Sequence, residues 1–137
     1  MSEFIVKDSG ERREFSTGSV RDRSAGKGRF DLFPPLALIR LAKHYENGSA
    51  KYGDRNWEKG QPTNEMFNSG YRHATDYLAG MRDEDHLIAA VWNFLGIVEI
   101  QERIKLGLLP ADLDTLNDEN KTLILKKLIQ STQTEPI

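Results

Sequence analysis

The sequence predicts an all-α protein, with four helices behind an N-terminal loop arm. Three observations carry this expectation. Apolar residues recur at helical spacing through most of residues 35–131. Proline and glycine punctuate the chain where such helices would begin and end: Pro34-Pro35, Gly53, Pro62, Gly80, Gly107 and Pro110. The stretch from His86 to about Lys105 is apolar nearly all round, as expected of a central, buried helix.

A chain of 137 residues is expected to form one domain with a real core. Its net charge of −2 carries no overall basic footprint, so nucleic acid is not an expected partner. The absence of cysteine excludes disulfides and thiolate metal sites and fits a cytoplasmic protein. No apolar run approaches the roughly 18 residues of a membrane span. The first residues, MSEFIVKDSGERREF, contain no apolar signal core.

The expected organisation is an arm over residues 1–34, a helical catalytic domain over 35–131 and a frayed tail over 132–137. From Lys7 to Arg29 the arm carries seven basic and four acidic residues among several glycines. Such a segment can fold over an anionic ligand, with Arg pairing to phosphate and glycine letting backbone N–H groups approach. Helix one is expected from Pro35 to Tyr52. Leu38, Ile39, Leu41, Ala42 and Tyr45 lie on its apolar face, and Glu46 falls inside that arc. A carboxylate there needs a cation or an ion-pair partner.

After Gly53 comes a polar turn, Asp54-Arg55-Asn56-Trp57-Glu58-Lys59, bracketed by Gly60. Helix two is expected over 63–79, capped by Thr63 or Asn64. His73 and Asp76 are neighbours on its flank, and Arg72 points further round. Helix three is expected over 84–106, with Asp83 as N-cap and Asp85 in the first turn. His86 and Asn93 are seven apart and share one stripe. A fourth amphipathic helix is expected over 112–131, using Leu116, Leu123, Ile124, Leu128 and Ile129. Because helix three is apolar on every side, a homo-oligomer is expected, either dimer or tetramer.

Together, Glu46, His73, Asp76, Asp83, Asp85 and His86 lie on or beside three consecutive helices. Helical bundles build metal sites from such inward carboxylates and histidines. Oxygen-rich ligands suit Mg²⁺ or Mn²⁺ bound along with substrate phosphates. Lys51, Arg55, Lys59 and Arg72 would supply charge around a triphosphate. Asn93 would lie near the sugar or metal pocket. Trp57 or Phe30 would stack on a base, and Asp31 would accept the N1–H and N2–H of guanine.

The strings KDSGERREFSTGSVRD, GKGRFDLFPPLALIRLA, KYGDRNWEKG, YRHATDYLAG and DEDHLIAAVWN resemble the phage family of MazG-like dATP/dGTP pyrophosphohydrolases. The likeness includes the MazZ type, found in phages that use 2-aminoadenine, and covers roughly residues 7–105. It implies the all-α NTP pyrophosphohydrolase fold and a purine dNTP substrate, dGTP and also dATP, cleaved to dNMP and pyrophosphate. It also implies two or more Mg²⁺ or Mn²⁺ ions and a place in the host cytoplasm. The superfamily's metal ligands follow ExxE on one helix and ExxD on the next. Here Glu46 fills one position but Ser49 stands three residues on, and His73-x-x-Asp76 replaces ExxD; Asp85 would compensate. Glu46 and Asp85 are thereby the expected catalytic carboxylates, with Glu46, His73, Asp76, Asp85 and His86 the expected metal ligands. Two alternatives are an HD-type nucleotide phosphohydrolase built on His73, Asp85 and His86, and a non-enzymatic helical module that binds nucleic acid or another partner through the basic arm.

Overall fold

The computed structural model describes residues 4–117 and 119–134. The chain divides into two units, 1–34 and 35–137. In the first, β1 (Arg13–Glu14) and β2 (Val20–Arg21) form an antiparallel ribbon with Arg13 opposite Arg21. Asp22 gathers the backbone N–H of Ser9, the Ser9 hydroxyl and the backbone N–H of Arg23. These bonds hold its carboxyl down at a pKa of about 2. A 3-10 turn at Phe30–Leu32 follows.

The second unit is helical: α1 (Pro35–Tyr52), α2 (Thr63–Leu78), α3 (His86–Lys105) and α4 (Glu119–Thr134). The first three helices start and stop close to the punctuation by proline and glycine. The fourth begins later than expected. Residues 109–117 carry leucines at helical spacing but form a 3-10 turn at Ala111–Leu113 and an irregular return instead. Leu109, Leu113 and Leu116 pack there against the core of Met66, Ile97 and Ile100. Asp114 pins this return. It accepts a 2.9 Å bond from the hydroxyl of Thr63, whose oxygen in turn accepts from the Leu116 N–H at 3.3 Å. Thr63 is fully buried and stands at the first position of α2, with Pro62 as the cap. The expectation that Thr63 or Asn64 caps this helix is corrected on that ground: both side chains are engaged by residues 114–116.

The α2–α3 pairing is the most extensive, and α1 lies more sparsely on α3. It depends on one glycine from each helix. A Cβ on Gly70 would come within 3.1 Å of Asn93 Cβ and Phe94 Cζ. One on Gly96 would come within 2.1 Å of Met66 Cε. Facing α2, α3 buries Ile88, Ala89, Ala90, Asn93, Ile97 and Ile100. Its other face is exposed at Leu87, Val91, Leu95 and Val98, so α3 is not buried all round. Leu38 and Ile39 of α1 are likewise exposed, and Glu46 sits on an exposed rather than a buried surface. The sparse seating of α1 is the reason for both corrections.

Gly70→Leu would gain about 1 kcal/mol of helix propensity but force α2 away from Asn93. The net expectation is a loss of about 1–3 kcal/mol, measured by denaturant unfolding. Unchanged stability would mean that the two helices have room to spare.

Candidate metal centre and nucleotide cavity

Local sequence builds the centre from two helix segments. His73 and Asp76 are three residues apart on α2, which brings both to one flank. His86 is the first residue of α3 and is 4 % exposed. The close α2–α3 approach sets the His73 and His86 Nδ1 atoms 3.0 Å apart. Ligand atoms of His73, Asp76 and His86 all lie within 4.8 Å of one another. Around them, His86 Nε2 meets Asp83 Oδ1 at 2.7 Å, and Glu84 Oε1 lies 3.3 Å from His73 Nδ1. The bond with His86 lowers the pKa of Asp83. Two imidazoles and three carboxylates thus share one small volume, an arrangement a divalent cation would neutralise.

Beside this cluster, a cavity of about 1050 Å³ runs between α1, α2, α3 and the turn after α1. Of the expected residues, Glu46, Lys51, Arg55, Trp57, His73, Asp85 and Asn93 line it. Asp76 and His86 are joined to it through His73. Lys59 and Arg72 do not line it: Lys59 is exposed in the 3-10 turn Asn56–Lys59, and the Arg72 guanidinium lies 3.4 Å from the Ser69 hydroxyl. Asp31 belongs to the first unit, where the Arg29 guanidinium grips both its oxygens at 2.8 Å.

The turn is shaped by backbone. Arg55 adopts the left-handed conformation, φ 57°, which is uncommon for a residue other than glycine. Gly60 also has positive φ, and a Cβ there would meet Leu113 at 2.7 Å. The Ser49 hydroxyl donates to Asp54 Oδ1, so Ser49 brings a carboxylate to the cavity wall. Lys51 lies over the Tyr52 ring, and its pKa is raised by the Tyr52 hydroxyl.

Sequence reasoning missed three participants. Arg40, outside the apolar face of α1, donates from Nε to Asp85 Oδ2 at 2.6 Å, with a second bond from Nη2 to Oδ1. Asp85, rather than Asp83, caps α3 by accepting from the Ile88 N–H. Asp83 reaches His86 instead. The Arg40 bonds, then the helix N–H, hold the Asp85 carboxyl below its usual range. His44, also outside that apolar face, lines the cavity and packs 5.8 Å from Trp92. Burial lowers its pKa. The Arg40–Asp85 pair spans 45 positions and leaves no local signal. Glu84, expected at the start of helix three, lies before α3 instead and meets His73 only through the α2–α3 approach.

A second cavity, of about 470 Å³, adjoins the first and shares Tyr45, Arg55, Trp57, Gln61, Met66 and Trp92 with it. Among the described residues, no helix is long and apolar enough to cross a membrane.

Against known families, the model described as dATP/dGTP diphosphohydrolase, N-terminal, matches residues 17–107. The match spans α1, α2 and α3, and with them every residue of the cluster and the larger cavity. Comparison with curated proteins and with solved structures finds no match.

Asp85 permits a pH test. Its folded pKa is lowered, so its contribution is present above the unfolded value of about 3.9 and is lost as pH falls through the folded value. Asp85→Ala should cost about 1 kcal/mol at neutral pH through the lost cap. Asp85→Asn keeps a capping oxygen and loses only a largely exposed ion pair, worth about 0–1 kcal/mol. Denaturant unfolding should show wild type and Asp85→Asn converging in acid. A gap that stays constant down to about pH 3 would contradict the linkage.

Proposed function

The chain belongs to the dATP/dGTP diphosphohydrolase family, and is therefore a MazG-like dNTP diphosphohydrolase; from that membership we propose that its site is metal-dependent, prefers dGTP and cleaves between the α- and β-phosphates. The observation that carries this reading is the convergence of His73, Asp76 and His86 beside a cavity lined by Lys51 and Arg55.

The donor set fits a divalent cation. Two nitrogens and a carboxylate oxygen, with His86 buried, suit Mn²⁺ better than Mg²⁺, which prefers an all-oxygen octahedron. His73, Asp76 and His86 would hold it. When bound, it would lower the pKa of water and stabilise charge on the phosphoryl oxygens. Glu46, on the cavity wall, takes the proton of the attacking water. The water oxygen bonds to the α-phosphorus as the bond to the bridging oxygen breaks, and pyrophosphate leaves. Lys51 and Arg55 neutralise the phosphate oxygens. Asp85, held by Arg40 and the α3 N-terminus, anchors the first turn of α3, so that His86 stays aimed at His73. Asn93 donates to the Ala89 carbonyl at 2.8 Å and offers its side-chain oxygen towards the sugar.

In this reading the enzyme works in the cytoplasm of a phage-infected cell, removing dGTP for 2-aminoadenine nucleotide supply. The expectation from the family-like motifs supports that role. The exposed apolar faces of α3 and α4, including Leu87, Val91, Leu95, Leu123, Ile124 and Leu128, support a dimer or tetramer. Light scattering at micromolar concentration should give at least twice the monomer's mass of 15.6 kDa; a monomer would contradict assembly through these faces.

Incubated with dGTP and Mn²⁺, the protein should release dGMP and pyrophosphate in equal amounts, without dGDP. Stoichiometric orthophosphate with dGDP would overturn the cleaved bond and favour the HD-type alternative. Lys51→Ala and Arg55→Ala should each lower kcat/KM about ten- to a hundred-fold, from lost charged hydrogen bonds of roughly 1.5–3 kcal/mol. His86→Ala should abolish the thermal stabilisation that Mn²⁺ confers on the wild type.

A further inference from the structure

The smaller cavity is built differently from the larger one. Its α3 wall includes Trp92, Gly96, Glu99 and Arg103, spaced four, three and four, so these four lie on one helix face, with Leu95 and Ile100 beside them. Met66 fills the space that a side chain at position 96 would take. Tyr45, Trp57 and Trp92 supply aromatic faces. Its volume of about 470 Å³ lies in the range of small-molecule sites.

Two carboxylates, Glu58 and Glu99, line this cavity, and Asp31, the residue expected from the sequence to read guanine, belongs to the other unit. Asp31 is gripped through both oxygens by Arg29. Glu58 offers Oε1 to Arg55 at 3.0 Å and to Arg103 at 3.9 Å. Glu99 is held differently. Arg103 donates from Nε to its Oε2 alone, at 2.8 Å, and the Arg103 guanidinium carbon lies 4.7 Å from the Trp57 ring centre. The aromatic contact and the ion pair together fix Arg103, and Arg103 orients Glu99. Oε1 of Glu99 takes no partner among the described residues.

We propose that the smaller cavity is the base subsite and that Glu99, oriented by Arg103, selects guanine over adenine. This rests on the reading of the larger cavity as the triphosphate site, to which the smaller one is joined. Guanine presents N1–H and N2–H as adjacent donors, which a carboxylate accepts. Adenine presents a lone pair at N1 and no donor beside it, so a carboxylate there meets like polarity and stays unpaired. Stacking on the aromatic walls does not discriminate between purines, so the carboxylate carries the choice.

Trp57 and Trp92 are the chain's two tryptophans, and both line this cavity. Both also line the larger cavity, so tryptophan emission reports binding in the joined cavities without cation or turnover, and the Glu99 and Glu58 variants assign it within them. Titrated with dGMP, dIMP and dAMP, the wild type should bind dGMP about ten- to a hundred-fold tighter than dAMP, with dIMP between. Glu99→Gln should bring the three within a few-fold of one another, and Glu99→Asp, which keeps the charge but shortens the reach, should also lose the ratio. Glu58→Gln should keep the wild-type order. A wild type that binds dGMP and dAMP alike, a Glu99→Gln variant with the wild-type ratio, or a ratio lost only in Glu58→Gln would overturn the assignment. A wild type with the expected ratio that makes no dGMP and pyrophosphate from dGTP would instead sink the hydrolytic reading alone.

Discussion

Two glycines allow α2 and α3 to lie closer than most side chains would permit, and the candidate centre is a consequence of that distance. Gly70 faces Asn93 and Phe94, and Gly96 faces Met66. With the helices this close, His73 on one meets His86 on the other across 3.0 Å. Met66, nearly fully buried, becomes both a core residue and the floor shared by the two cavities. A buried imidazole and a half-buried one facing each other beside several acids form an arrangement that a cation would balance. The packing and the chemistry are therefore one arrangement. A side chain at position 70 would disturb the core and the centre together.

The remaining parts are held by bonds that act at a distance from the chemistry. Arg40 ties α1 to the cap of α3 through Asp85, so the helix carrying Glu46 and the helix carrying His86 are fastened at one point. Thr63 and Asp114 fasten the start of α2 to the return after α3. Between these anchors the turn after α1 carries Arg55 in a left-handed conformation and Trp57 under the Arg103 guanidinium. A non-glycine residue at φ 57° persists only where its surroundings hold it. Here it sits on the wall shared by both cavities, where a triphosphate would pass from one to the other.

How much of this was legible follows from the range of each interaction. The ends of α1, α2 and α3 were legible because proline and glycine act locally on the backbone. His73 and Asp76 were legible as a pair because helical spacing places i and i+3 together. The start of α4 was not, because leucines at helical spacing fit a core-covering return equally well until Asp114 is seen to bond Thr63. Nor was the partner of Asp85, since Arg40 lies a whole helix pair away. Glu46 was expected to be buried because the moment of α1 was taken to face a full core. The helix is only lightly seated, and the carboxylate stands on an open cavity wall instead. Glu99 and Arg103 are an i, i+4 ion pair, a spacing that carries no functional signal in the sequence. Only the cavity beside them gives the pair a further role.

At the centre of the proposed site, His73, Asp76 and His86 would hold a cation next to a purine dNTP. The most direct test is a crystal structure with Mn²⁺ and a dGTP analogue whose α–β bridging oxygen is replaced by a methylene group. The anomalous signal of manganese should fall between His73, Asp76 and His86, with the α-phosphate towards Glu46 and the guanine against Trp92. Manganese bound away from both histidines, or the analogue seated outside these two cavities, would contradict the account.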